Sequence, residues 1–184
     1  MKKKLIEISV PLFLALGFYS CKEEPPKPNN PPSNETELIT TVILELTDSS
    51  TQQVKTFKFR DIDGEGGNNP SVFDTIKLEP NKIYFTNIML LDESKNPADT
   101  ISNDVKEEKN DHLFVFNSSS SQIQVTVTDK DDNNLPVGLK SKWKTFGQSN
   151  NIISVALKHQ PGIKTGDANL GETDIDINFP LIIK

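Results

Sequence analysis

Asp174-Ile175-Asp176-Ile177-Asn178-Phe179-Pro180-Leu181 alternates polar and apolar side chains over its whole length, apart from Pro180. A period of two sends successive side chains to opposite faces of an extended strand. Ile175, Ile177, Phe179 and Leu181 then form an apolar face, and the aspartates a wet one. The same period recurs upstream. Leu38, Thr40, Val42, Leu44 and Leu46 alternate with Ile39, Thr41, Ile43 and Glu45. Phe57 and Phe59 alternate with Lys58 and Arg60, and Val72, Ile76 and Leu78 share a face in a third run. Ile83, Phe85, Met89 and Leu91 share one in the next, and Leu113–Phe116 is a short apolar run. Ile123, Val125 and Val127, then Ile153, Val155 and Leu157, repeat the pattern. About eight strands separated by turn residues predict an all-β fold, an immunoglobulin-like antiparallel β-sandwich. Ser102–Asn110 lacks alternation and is rich in Glu and Lys, which predicts one short helix capped by Ser102, with Asp104 favouring its N-terminal dipole.

The chain ahead of Glu37 reads differently. Met1-Lys2-Lys3-Lys4 is basic, and Leu5–Phe18 is mostly apolar but broken by Glu7, Ser9 and Pro11. That run falls short of the ~20 apolar residues of a spanning helix and has the form of a secretory signal peptide, residues 1–20. Phe18-Tyr19-Ser20-Cys21 follows, and Cys21 is the one cysteine in the sequence. The stretch resembles the lipobox of bacterial lipoproteins, with Phe18 and Tyr19 departing from its Leu and small-residue preferences. The resemblance implies that Cys21 is diacylated and becomes the mature N-terminus, a stable two-chain anchor in the outer membrane. Lys22-Glu23-Glu24 resembles the surface-export signal of Bacteroidota lipoproteins. Residues 21–36 are then the lipidated Cys and a Pro-rich tether; at ~3.1 Å per residue in polyproline II it reaches roughly 45 Å. Residues 37–184 are the β-sandwich domain.

Charge and composition exclude several classes. The 184 residues carry a net charge of −6 and a pI near 5.0, which argues against a nucleic-acid partner, since such affinity rests on Lys and Arg. A mean hydropathy of −0.46 excludes a multi-span membrane protein. A single Cys excludes an intrachain disulfide and a Cys-rich zinc site. No HExxH, phosphate-binding glycine loop, GxSxG or CxxC is present. The two histidines, His112 and His159, sit in no nucleophile context, so the expected protein is not an enzyme and has no catalytic residues. As ligands for haem or a metal they stand against the plainer reading of locally hydrogen-bonded edge residues.

Asp61-Ile62-Asp63-Gly64-Glu65-Gly66-Gly67 is the best local signal of chemistry. Oxygen side chains at places 1, 3 and 5 and Gly at 6 resemble the first half of a DxDxDG calcium loop, in which alternate carboxylates converge on one hard cation. Two readings stand. One is calcium held by Asp61, Asp63 and Glu65. The other is an acidic glycine turn, favoured by Val72 standing where the bidentate Glu belongs. Asp129, Asp131 and Asn133 repeat the spacing, with Asn134 replacing the Gly. If both loops share one end of the sandwich, they form one acidic face. Asp74-Thr75-Ile76 and Asp99-Thr100-Ile101 resemble the Bacteroidota O-glycosylation motif, which marks Thr75 and Thr100 as candidate acceptors beside the reading of ordinary turn threonines.

Phe57–Gly67, the acidic helix ahead of His112-Leu113-Phe114, His159-Gln160-Pro161-Gly162 and Gly171–Asp176 together are similar to a family of small Bacteroidota surface lipoproteins. Members often carry the name "type 1 periplasmic binding domain-containing protein". That name belongs to larger α/β sugar-binding folds, whose alternating strands and helices this chain lacks. The resemblance supplies no activity and no site residues. The expected function is a non-enzymatic, surface-displayed binding module that presents loops to a protein or glycan. The alternative is an accessory lipoprotein that hands haem, metal or glycan to an outer-membrane nutrient receptor.

Overall fold

The computed structural model describes residues 38–64 and 66–184. The expected signal peptide, Cys21, Lys22, Glu23, Glu24, the expected tether and Glu65 lie outside the described residues. Ten strands and one helix follow in order: β1 Thr41–Asp48, β2 Val54–Arg60, β3 Val72–Phe73, β4 Ile76–Leu78, β5 Ile83–Leu91, α1 Ile101–Glu107, β6 His112–Ser118, β7 Ile123–Val127, β8 Lys140–Thr145, β9 Ser149–His159 and β10 Glu172–Ile183.

They form two sheets, ordered β3-β2-β1-β5-β8-β7 and β4-β10-β9-β6. The chain changes sheet between β3 and β4, β4 and β5, β5 and β6, β6 and β7, and β8 and β9. The group β1-β5-β8-β7 faces β4-β10-β9-β6, which is the strand arrangement of an immunoglobulin-like sandwich. The β2–β3 hairpin is an addition on the outer side of β1. Nearly every pairing is antiparallel, as the alternation predicts. β4 is the exception and runs parallel to β10, pairing Ile76 with Leu181 and Leu78 with Ile183.

The core lies between the sheets. Val42, Leu44 and Leu46 of β1 and Tyr84 and Leu90 of β5 meet Leu157, Phe179, Leu181 and Ile183 from the other sheet, all at most 2% exposed. Three details correct the sequence reading. The run 72–78 is two short strands, because the chain leaves the edge of one sheet for the edge of the other. β8 carries no apolar alternation, since its inward residues are Ser141, Trp143 and Thr145. The indole Nε1 donates to Ser141 Oγ at 2.8 Å, and Thr145 Oγ1 donates to the Glu79 carbonyl at 2.7 Å, so these polar groups are buried with partners. In β5 the inward face is Tyr84, Thr86, Ile88 and Leu90, while Phe85 and Met89 are about half exposed. Both faces of that strand are apolar, and the anchored phenol decides between them: Tyr84 Oη accepts the Glu79 N–H at 3.0 Å.

The helix forms where it is expected and carries the chain from β5 to β6. Its N-cap is Thr100 rather than Ser102, and Thr100 makes no side-chain capping bond. Ile101 and Val105 bury the inner stripe.

Candidate functional site

β10 is twelve residues long, but β4 covers only its last three. Lys184 N–H bonds to the Leu78 carbonyl, so even-numbered backbone groups of β10 point toward the β4 side. By the same alternation, the N–H and C=O of Asp176 and Asn178 face that side, where no strand pairs with them among the described residues. Pro180 lies in the same phase and has no N–H to leave unpaired.

Opposite this bare edge stands the β2–β3 hairpin. Phe59 and Phe73 pack edge to face at 5.5 Å, and Phe73 meets Phe179 at 5.8 Å. A cleft of about 600 Å³ opens between hairpin and strand. Ile39, Phe59, Phe73 and Ile177 give it apolar walls, and Asp61 and Asp174 enter the same space.

Those two carboxylates set its chemistry. Asp61 is 9% exposed, and its Oδ1 is buried without a hydrogen-bond partner. Asp174 Oδ1 is in the same condition. Asp174 sits where the β9–β10 register slips between Thr173 and Ile175, and such a bulge re-aims a side chain. Burial pushes its carboxyl above the usual range, against the pull of His159 and His112. A buried acceptor without a donor costs stability, typically about 1–3 kcal/mol. Both aspartates thus line the cleft with an oxygen that no described residue hydrogen-bonds.

The sequence-predicted residues divide as follows. Asp63 adjoins Asp61, and its Oδ2 accepts the Asn68 N–H at 2.8 Å and the Asn68 amide at 2.6 Å. These two bonds, and a smaller contribution from Asp61, hold its carboxyl below the usual range. Glu65 lies outside the described residues, so two of the three proposed calcium ligands are placed. The 129–134 loop lies at the same end of the larger sheet. Strands β1, β5 and β8 separate β2 from β7, so roughly 19 Å of sheet width lies between the two loops. Asp131 is instead committed internally, with Lys164 Nζ 2.9 Å from Oδ2 and the Asn133 and Leu135 N–H groups both 2.8 Å from Oδ1. Thr75 is half-buried in the crossover from β3 to β4. Thr100 is half-buried at the helix start, with its N–H on Asp99 Oδ1 at 2.9 Å.

His112 and His159 are directly opposite on β6 and β9, and their rings stack at 4.7 Å and 4°. His112 is 2% exposed, and burial pushes its imidazole below the ordinary value. Its Nδ1 lies 3.1 Å from the Glu108 carbonyl, just beyond α1. Sequence reasoning missed Asp174, Lys164 and Glu108. Asp174 passes for one more wet-face aspartate, and only the register slip turns it inward. Lys164 and Glu108 reach their partners through loops that leave no periodic trace.

No protein-family model, no curated protein and no solved structure matches this chain.

Proposed function

We propose that this chain is a non-enzymatic, lipid-anchored binding module of the outer membrane, displayed at the cell surface, whose cleft takes an extended peptide. The anchor rests on Cys21 at the end of the apolar run and on the Lys22-Glu23-Glu24 signal that follows. The single observation that carries the binding role is the apolar cleft that receives two buried carboxylate oxygens without partners. The bare β10 edge favours an extended peptide, because an added strand bonds through its backbone while alternate side chains fill the walls. Asp61 and Asp174 favour a Lys or Arg side chain on that strand, and Asp176 at the edge adds to the acidic character. No nucleic acid suits this acidic surface.

Panning random linear peptides on the mature chain tests the binding role. The expected winners alternate apolar residues and carry one basic residue. Phe73→Asp, at a half-exposed wall position, weakens them at least tenfold. Winners indifferent to Phe73→Asp and to Asp61→Asn overturn the cleft reading. The anchor has its own test. Cys21→Ala releases the protein from the membrane fraction, whereas Glu23→Ala with Glu24→Ala keeps the lipid but reduces protease access on whole cells.

A further inference from the structure

The geometry points to a second site, independent of the cleft's ligand: His112, His159 and Glu108 form a binding site for a divalent transition metal of the zinc class. Directly opposed residues of an antiparallel pair hold their Cβ atoms about 5 Å apart on one face. That places the two imidazoles face to face, 4.7 Å apart and 4° from parallel, so one ring turns for both nitrogens to meet one ion. α1 ends so that Glu108 follows it, with the Glu108 N–H on the Asp104 carbonyl at 2.8 Å. The carboxylate of Glu108 then comes within reach, and the donor atoms of all three residues lie within 4.8 Å of one another.

The second observation is the way His112 is held. It is 98% buried, as its 2% exposure states, and its Nδ1 is placed to donate to the Glu108 carbonyl. A neutral ring that donates from Nδ1 keeps its Nε2 lone pair for a ligand. A backbone carbonyl on the second nitrogen is the usual support of a metal-bound histidine. A dication is the species that the Glu108 carboxylate and the ring nitrogens of His112 and His159 favour together.

The donor set selects the metal. Two imidazole nitrogens and one carboxylate suit zinc, nickel or copper(II), whereas calcium and magnesium take oxygen. Three protein ligands leave a fourth tetrahedral position open. Zinc–donor distances of ~2.0–2.2 Å need the donors closer together than 4.8 Å. Glu108 is exposed and His159 half-buried, so both have room to rotate inward.

The test uses the chain from Lys22 onward, which retains every described residue of the sandwich and carries no thiol to compete for metal. After chelation it is titrated with zinc chloride by calorimetry, and with cobalt(II) by visible absorption. One zinc per chain is expected, with tetrahedral cobalt bands. His159→Gln should weaken zinc at least a hundredfold and Glu108→Gln about tenfold, because outer positions are replaced and folding is retained. Millimolar calcium should not displace the zinc. Absence of zinc heat together with absence of cobalt bands overturns the site. So does zinc binding that survives His159→Gln with circular dichroism unchanged.

Discussion

Asp61 and Asp63 on the loop after β2, and Asp129 and Asp131 on the loop after β7, share one spacing. Both loops also take a left-handed residue at the sixth place, Gly66 at φ 88° and Asn134 at φ 68°. Their chemistry diverges because of what reaches them. The second loop receives Lys164 against Asp131, with both side chains at most 2% exposed, and Lys109 against Asp132. Gly138 N–H caps Asp129 Oδ1 at 2.9 Å. The first loop receives no lysine among the described residues, and Asp61 keeps a buried oxygen without a partner. A carboxylate pattern alone does not distinguish a structural brace from a binding site; the cation that arrives from elsewhere in the chain does.

The largest break of this contrast is Lys164→Met. It leaves Asp131 buried without its cation. The pair lies just beneath the surface, so the loss expected is about 3 kcal/mol, at the low end for breaking a buried ion pair. Guanidinium unfolding measures it. Adding Asp131→Asn should recover most of the loss, because it removes the uncompensated charge and keeps an oxygen for the Asn133 and Leu135 N–H groups. A single variant as stable as the parent would show that the pair is not a brace.

This ion pair also marks where sequence reading ends. β10 and β1 declare themselves because apolar residues recur at every second place of their inward faces. β8 does not, because its buried face is Ser141, Trp143 and Thr145 between lysines, and their burial depends on partners in distant segments. β5 declares a strand but not its inner face, since Phe85 and Met89 are as apolar as Tyr84 and Ile88. The acidic loop was legible as a pattern, but its alliance with Asp174 was not: Asp61 and Asp174 are 113 positions apart in sequence. Their meeting depends on the β2–β3 hairpin being added beside β1 and on the register slip in β10.

Acidity separates the two regions next. Burial raises the Asp131 carboxyl, but Lys164 and the loop N–H groups outweigh it and leave it lowered. A lowered folded value means stability present above the ordinary aspartate value of 3.8 and lost as pH falls through the lowered one. Asp174 has the opposite sign. Its raised folded value means stability that is full below 3.8 and lost as pH rises through the raised one. His112, lowered mainly by burial, adds stability above 6.5 that is lost on acidification. The expected outcome is that Asp174→Asn gains on the parent as pH rises above 3.8 and then levels off, in denaturation midpoints taken across the acid range. A gain that is flat with pH would mean that Asp174 is not held against its charge.

A smaller effect is expected from removing the charge of Asp61. Asp61→Asn replaces one of two adjacent carboxylates with an amide that donates to Asp63. Stability should stay level or rise by up to about 1 kcal/mol. Asp131→Asn should instead lower it, because Lys164 then loses its counter-charge. Opposite signs at the same place in two like-spaced loops would confirm that one is built for the chain and the other for a ligand.

The smallest expected effect decides what that ligand is when it is an ion. Asp61 and Asp63 bring two carboxylates together, and their repulsion is relieved by a cation. Val72 at the twelfth place of the motif supplies no ligand, so a calcium ion here needs a carboxylate from outside the loop. Asp174 lies across the same cleft from Asp61 and is the one candidate that the cleft walls offer besides edge residue Asp176. An extracellular-type site has a dissociation constant of ~10⁻⁴ M, and ligand at 100 times that value raises stability by about 2.7 kcal/mol. With Asp63 already bonded to Asn68, less is expected: a small rise in melting temperature at roughly 10 mM calcium, smaller again with magnesium. Asp61→Asn should abolish it. Asp174→Asn then sorts the geometry: loss of the response places the ion between the loop and β10, and its survival confines the ion to the loop. No thermal shift and no heat with calcium would leave Asp61 and Asp174 to a basic side chain of a bound strand.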